Sequence, residues 1–136
     1  MARRLNQQDY RRLSEFRYQL RCFLEFSEAA AVQAGLTPRQ HQALLAIKGA
    51  PAGTRPSVGY LAERLRIRHH SAVELVDRLA DASLITREPD AEDRRRVRLS
   101  LTATAEARLA QLSASHLSEL NRLRPALLEL LGQPDV

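Results

Sequence analysis

The spacing of apolar residues changes period twice along this chain, and that change restricts the fold more than any other feature. Up to Ala82, apolar positions recur every three or four residues, as on the buried stripe of a helix. The period then changes: Leu84-Ile85-Thr86-Arg87 and Val97-Arg98-Leu99-Ser100-Leu101 read as strands, the second with strict alternation. Pro89-Asp90-Ala91-Glu92-Asp93 between them supplies turn chemistry. From Thr102 the helical spacing returns. A hairpin set between helices is the result.

The helical parts can be placed more closely. Leu13, Phe16, Leu20 and Phe23, with Ser27 and Ala30, mark one stripe of a helix over 10–34 that Gly35 ends. Thr37-Pro38-Arg39-Gln40 restarts a helix: Thr37 caps, Pro38 suits the first turn and Gln40 bonds back. Leu44, Leu45 and Ile47 are expected on its buried side. Gly49 to Gly53 is a loop. Ser57 caps a short helix to about Leu65, and Arg66-Ile67-Arg68 is a turn. A helix from His69 to Ala82 then buries Val73, Val76 and Leu79, helped by Leu75. Two helices joined by so short a turn have the form of a helix-turn-helix, and the hairpin after them is a wing. Thr102 caps the last helical region, with Leu109, Leu112, Leu117, Leu120 and Leu123 as its apolar positions. Pro125 is expected to start a separate short helix to Leu131, because proline suits only a first turn.

The predicted class is mostly α with a small β-wing, in one domain of 136 residues. A winged helix-turn-helix lobe at 37–101 lies between terminal helices at 10–34 and 102–131. The small lobe cannot cover both terminal stripes, so a two-fold homodimer is expected to bury them.

Charge narrows the partner. The chain carries a formal +5 with a pI near 10.3, which favours a polyanion, either nucleic acid or an anionic membrane surface. Of its 21 basic residues only Lys48 is not arginine. Arginine's planar fork suits phosphate and guanine, but base composition of the gene produces the same bias. Position is more informative. Arg94, Arg95 and Arg96 crowd positive charge onto the hairpin tip, where a narrow minor groove would relieve the repulsion. Asp93 is placed to orient a neighbouring guanidinium. His69, His70, Ser71, Val73 and Glu74 open the second helix of the pair, the part that meets base edges in the major groove. Glu74 has two readings: acceptance from cytosine, or a capping box over Ser71-Ala72-Val73-Glu74, which is preferred. Arg64, Arg66, Arg68 and Arg78 are candidate phosphate clamps, which position a protein without reading sequence.

These residues give the chain a resemblance to the MarR family of transcriptional regulators. The most specific piece runs from Leu84 to Thr102, where Asp93, Arg95, Leu99, Leu101 and Thr102 match the family's wing. Leu61-Ala62-Glu63-Arg64-Leu65 and Ser71 to Leu79 form a second piece. The resemblance implies a homodimeric DNA-binding regulator, usually a repressor, on a pseudo-palindromic site in double-stranded DNA, with Arg95 in the minor groove. It also implies that a small aromatic or lipophilic effector can release DNA. Phe16, Tyr18, Phe23, Phe26 and His41 are candidates to line such a site, although side chains at that spacing are more often plain core. The family has glycine where this chain has Ser83, a residue that tolerates positive φ poorly.

Other classes fit less well. No Gly-rich phosphate loop, nucleophile elbow or paired catalytic carboxylates stand out, so no enzyme is expected. His41, His69, His70 and His116 lack metal-ligand spacing, and neither metal nor cofactor is expected. Some relatives sense peroxide through a cysteine on the first helix. Here the segment from Cys22 to Thr37 is shorter than in those sensors, and Cys22 is read as structural. A single cysteine, no secretory signal pattern and no membrane-length apolar run point to the cytoplasm rather than to a membrane. A sequence-tolerant architectural DNA binder and a repressor that senses peroxide through Cys22 are the remaining rivals.

Overall fold

The computed structural model describes residues 3–93 and 95–132. Its elements run α1 (Gln7–Gln33), α2 (Pro38–Lys48), α3 (Val58–Leu65), α4 (His69–Asp81), β1 (Ile85–Pro89), β2 (Val97–Leu101) and α5 (Ala103–Leu131). The fold is mostly helical with one two-stranded antiparallel sheet, in the order that the apolar periods predict. Among the described residues, no helix is long and apolar enough to cross a membrane.

Local chemistry sets where the helices begin. Asn6 and Asp9 cap α1 reciprocally, each side chain accepting from the other's backbone N–H at 2.9 Å. Thr37 and Gln40 do the same for α2, at 3.1 and 3.0 Å. Ser57 accepts from Tyr60 at the start of α3, and Thr102 from Ala105 at the start of α5.

One core ties the elements together. Leu44 of α2, Leu61 of α3, Val76 and Leu79 of α4 and Leu99 of β2 are its largest fully buried side chains. Ala31, Leu36, Ala105, Leu109 and Leu112 extend it onto α1 and α5. Each large apolar side chain buried this way contributes about 1.5–3 kcal/mol. The hairpin pairs Ile85 with Leu101 and Pro89 with Val97. Ile85 and Leu99 turn into the core, at 3% and 1% exposure.

Helices α1, α3 and α4 end in one way. At each end a residue takes positive φ: Gly35 at 79°, Arg66 at 56° and Ser83 at 59°. The N–H of the following residue then reaches back five positions: Leu36 to Ala31, Ile67 to Ala62 and Leu84 to Leu79, at 2.9–3.0 Å. That bond satisfies a carbonyl the helix leaves open, and the accompanying apolar residue packs inward. Leu36 and Leu84 are each 3% exposed. At Ser83, the burial of Leu84 offsets the steric cost of a left-handed residue other than glycine. Ser83 therefore keeps the turn that glycine would make.

Three sequence expectations are corrected. Pro125 does not start a new helix; it lies inside α5. Proline removes one helical bond there, but the end of α5 is held from outside. Arg12 of α1 donates to the carbonyls of Leu130 and Leu131, at 2.9 and 2.6 Å. Leu45 is exposed, and so is Val73; the buried sides are His41, Ala43, Leu44 and Ile47 on α2, and Ala72, Leu75, Val76 and Leu79 on α4. The capping box at Ser71 does not form. Arg68 is the N-cap of α4, without a side-chain cap bond. The bond from Ile67 back to Ala62 closes the turn early and starts the helix upstream of Ser71.

The left-handed position of Ser83 yields a stability prediction. Ser83→Gly should raise stability by about 0.5–1 kcal/mol, the steric relief less glycine's entropy cost. A rightward shift of the urea midpoint at unchanged slope checks this.

Candidate nucleic-acid interface

Helix α4 shows a divided surface. Ala72, Leu75, Val76 and Leu79 face the core, while His70, Val73, Glu74, Asp77 and Arg78 are exposed at spacings of three and four. His69 is exposed at the first turn, and Ser71 is half-buried beside it. Four of the five proposed base-reading side chains thus reach solvent. Glu74, released from the capping role, lies one turn into the helix on the same face as His70 and Val73.

The proposed clamps are all exposed. Arg64 is exposed on α3, Arg66 at the left-handed turn, Arg68 at the N-cap of α4 and Arg78 on its last turn. Arg66 stands where glycine is the less strained choice, so an arginine there is held at a steric cost.

The hairpin tip presents two of its three arginines; Arg94 lies outside the described residues. Asp93 organises the other two. Its carboxylate accepts from the backbone N–H of Arg95 at 3.1 Å and from its Nε at 3.3 Å. The Arg96 Nε lies 3.8 Å from the second carboxylate oxygen. The Arg95 side chain is still 93% exposed, so its outer nitrogens are directed but open. The base of the hairpin is joined to α4 by Arg87, whose guanidinium lies 2.7 Å from the Asp77 carboxylate. On the other side Arg55 binds Asp90 and Glu92. The sequence reading missed Arg55, Asp77, Arg87 and the burial of Asp90. Only the Asp77–Arg87 pair had a signal, opposite charges on neighbouring elements.

The residues proposed for an effector site separate into two groups. Phe23, Phe26 and His41 converge on His116, with ring centroids at 5.9, 5.3 and 4.8 Å. Phe16 and Tyr18 are exposed elsewhere on α1. Phe16 lines an apolar groove of about 430 Å³ with Leu5, Leu13, Leu130 and Leu131. Tyr18 neighbours the half-buried Cys22, whose side-chain hydrogen bond raises the phenol above its ordinary range. His116, absent from the proposed set, is held on both ring nitrogens, by the Leu112 carbonyl and the Ser27 hydroxyl, each at 2.7 Å. His41 is 3% exposed and its Nδ1 lacks a protein partner among the described residues. Burial, then the charge of His116, lowers its pKa. Among the described residues no three metal-binding side chains come together.

Residues 34–96 match the sequence model of the MarR family. No curated protein matches by sequence. Solved structures with the same fold include AbsC, a MarR family transcriptional regulator from Streptomyces coelicolor. It is 20% identical with a TM-score of 0.71, over 93% of this chain and 85% of its own. A MarR family protein from Bacillus stearothermophilus is 20% identical with a TM-score of 0.74, over 88% and 83%. A variant of MepR from S. aureus, bound to an oligodeoxyribonucleotide, is 21% identical with a TM-score of 0.65, over 85% and 82%.

His41 yields a pH prediction. Its folded-state pKa lies below the ordinary 6.5, so the unfolded chain binds that proton more readily. Its contribution to stability is complete above about pH 6.5 and is lost as the pH falls from there. Thermal melts should show a decline between about pH 7 and 5 that is smaller in His41→Leu.

Proposed function

We propose that this chain, whose residues 34–96 belong to the MarR family, is a sequence-specific transcriptional regulator that binds double-stranded DNA as a homodimer and acts as a repressor. One observation carries the reading. The exposed face of α4 lies beside a hairpin whose Arg95 is 93% exposed and aimed by Asp93. A helix of this kind fits the major groove, with His69, His70, Ser71, Val73 and Glu74 toward base edges. Arg95 and Arg96 suit a narrow minor groove. Arg64, Arg66, Arg68 and Arg78 take phosphates and set the register.

Exposed apolar side chains on the terminal helices support the dimer. Leu13, Phe16, Leu20 and Leu24 of α1, and Leu117, Leu120, Leu128 and Leu131 of α5, are 41–66% exposed. A second copy covers such a face symmetrically and places two recognition helices on one side of the duplex. Half-sites then fall roughly 10 base pairs apart, on a pseudo-palindromic operator. A small aromatic or lipophilic effector would be received at the junction of α1, α2 and α5, where Phe23, Phe26 and His41 meet His116.

Selection of duplexes from a random library by the purified chain tests the reading. Enriched sites should share paired half-sites and bind tighter than random DNA by about 4–10 kcal/mol. Uniform affinity would instead mark an architectural binder, and sedimentation as a single chain would remove the dimer. Arg95→Ala should weaken binding about tenfold or more with its melting temperature unchanged. In Glu74→Gln, a changed base preference at one position should appear in the same selection.

A further inference from the structure

The loop before α3 and the hairpin are joined by more than packing. Asp90 directly follows β1 and is only 7% exposed. Its carboxylate accepts from the Arg55 guanidinium and, at 3.0 Å, from the backbone N–H of Glu92. A second Arg55 nitrogen lies 3.2 Å from the Glu92 carboxylate. The Asp90 N–H donates to the Arg96 carbonyl at 2.9 Å, so Asp90 also closes the turn that carries Arg95. Next to Arg55, the Pro56 carbonyl accepts from Leu99 of β2, again at 2.9 Å. Arg55 lies two residues before Ser57, the cap of α3. The loop and the hairpin enclose a groove of about 910 Å³, lined among others by Arg55, Asp90, Asp93 and Arg96.

These bonds act on an element that is weak alone. A two-stranded hairpin is marginal in water. One that swings must lose that freedom on binding, which reduces affinity. The Arg87–Asp77 pair steadies the hairpin from the α4 side, but its side chains are 44% and 53% exposed. Such exposed pairs contribute little. Asp90 is the enclosed member, held by a side chain from one side and the backbone from the other. The Glu92 N–H and, after it, Arg55 also favour its charged form.

We propose that Arg55 and Asp90 form a latch that fixes the hairpin's angle against the helix-turn-helix and thereby positions Arg95 for DNA. The latch rests on the DNA-binding reading given above. Both are positioning residues: Asp90 in particular has no attraction for a polyanion. That gives the idea a distinctive sign. Deleting a negative charge beside DNA strengthens binding on Coulomb grounds alone. Deleting the charge of a latch weakens it.

The test uses Asp90→Asn and Arg55→Gln, each alone and combined with Arg95→Ala. Binding is read by anisotropy with a fluorescein-labelled duplex recovered by library selection with the wild-type chain. Each latch variant should weaken binding by about tenfold, and Arg95→Ala should cost at most about threefold more in either background, since coupled residues are not additive. Circular dichroism establishes that each variant is folded. Should Asp90→Asn unfold, the non-additivity of Arg55→Gln with Arg95→Ala decides the matter, since loss of a positive charge weakens binding by itself and the Arg55 side chain is 40% exposed in the wild type. Wild-type or tighter binding by the folded latch variants, or an undiminished Arg95→Ala effect in them, overturns the latch and leaves DNA binding intact. A library that enriches no duplex, or a wild type indifferent to Arg95→Ala, overturns the latch together with the role of the hairpin.

Discussion

The placement of Leu99 is the contact on which the rest of the architecture depends. Its side chain is buried among α2, α3 and α4 residues in the common core, and its backbone N–H is bonded to Pro56 in the loop before α3. One residue thus connects the hairpin to the helix-turn-helix through both apolar burial and a directional bond. Alternation along β2 then decides the rest. With Leu99 and, less deeply, Leu101 turned inward, Arg98 and Ser100 must face the other way. The hairpin can project an arginine-rich tip because its base is anchored by a side chain with nowhere else to go.

Much of this was legible because it follows from local rules. Thr37 and Gln40 are three apart ahead of an apolar run, and the reciprocal cap they promise is formed. The change from helical to alternating spacing located β1 and β2 to within a residue or two. The exposed α4 face also came from spacing, although Val73 had to serve as both buried and outward residue until the structure placed it outside. The arrangement at Asp93 was visible because its partners are near neighbours in the chain.

Other features were not legible, for a common reason: each depends on groups distant in sequence or on backbone angles that side-chain identity does not announce. Arg66 holds a left-handed position that no residue near it announces, whereas the one at Ser83 was signalled only through the family's glycine there. Pro125 looked like a boundary because nothing near it shows that Arg12 binds the carbonyls beyond it. Ser71 and Glu74 have cap spacing, but the preceding turn had already started the helix. Arg55 and Asp90 are 35 residues apart with no pattern linking them. His116 drew no notice beyond its lack of metal-ligand spacing, yet it is the centre on which Phe23, Phe26 and His41 meet.

The division of α5 has a mechanical consequence. Ala105, Leu109 and Leu112 belong to the same core as Leu44 and Leu99, whereas Arg12 grips the far end from α1. Along the way Lys48 is paired with Glu106, and the His116 ring lies against that of His41, so both ends of α2 are moored to one rod. The lobe bearing α4 and the hairpin is therefore not hung from α5 by a flexible joint; the first third of that helix is part of it. A change of tilt in the lobe has to bend the rod past its middle or slide α1 along it.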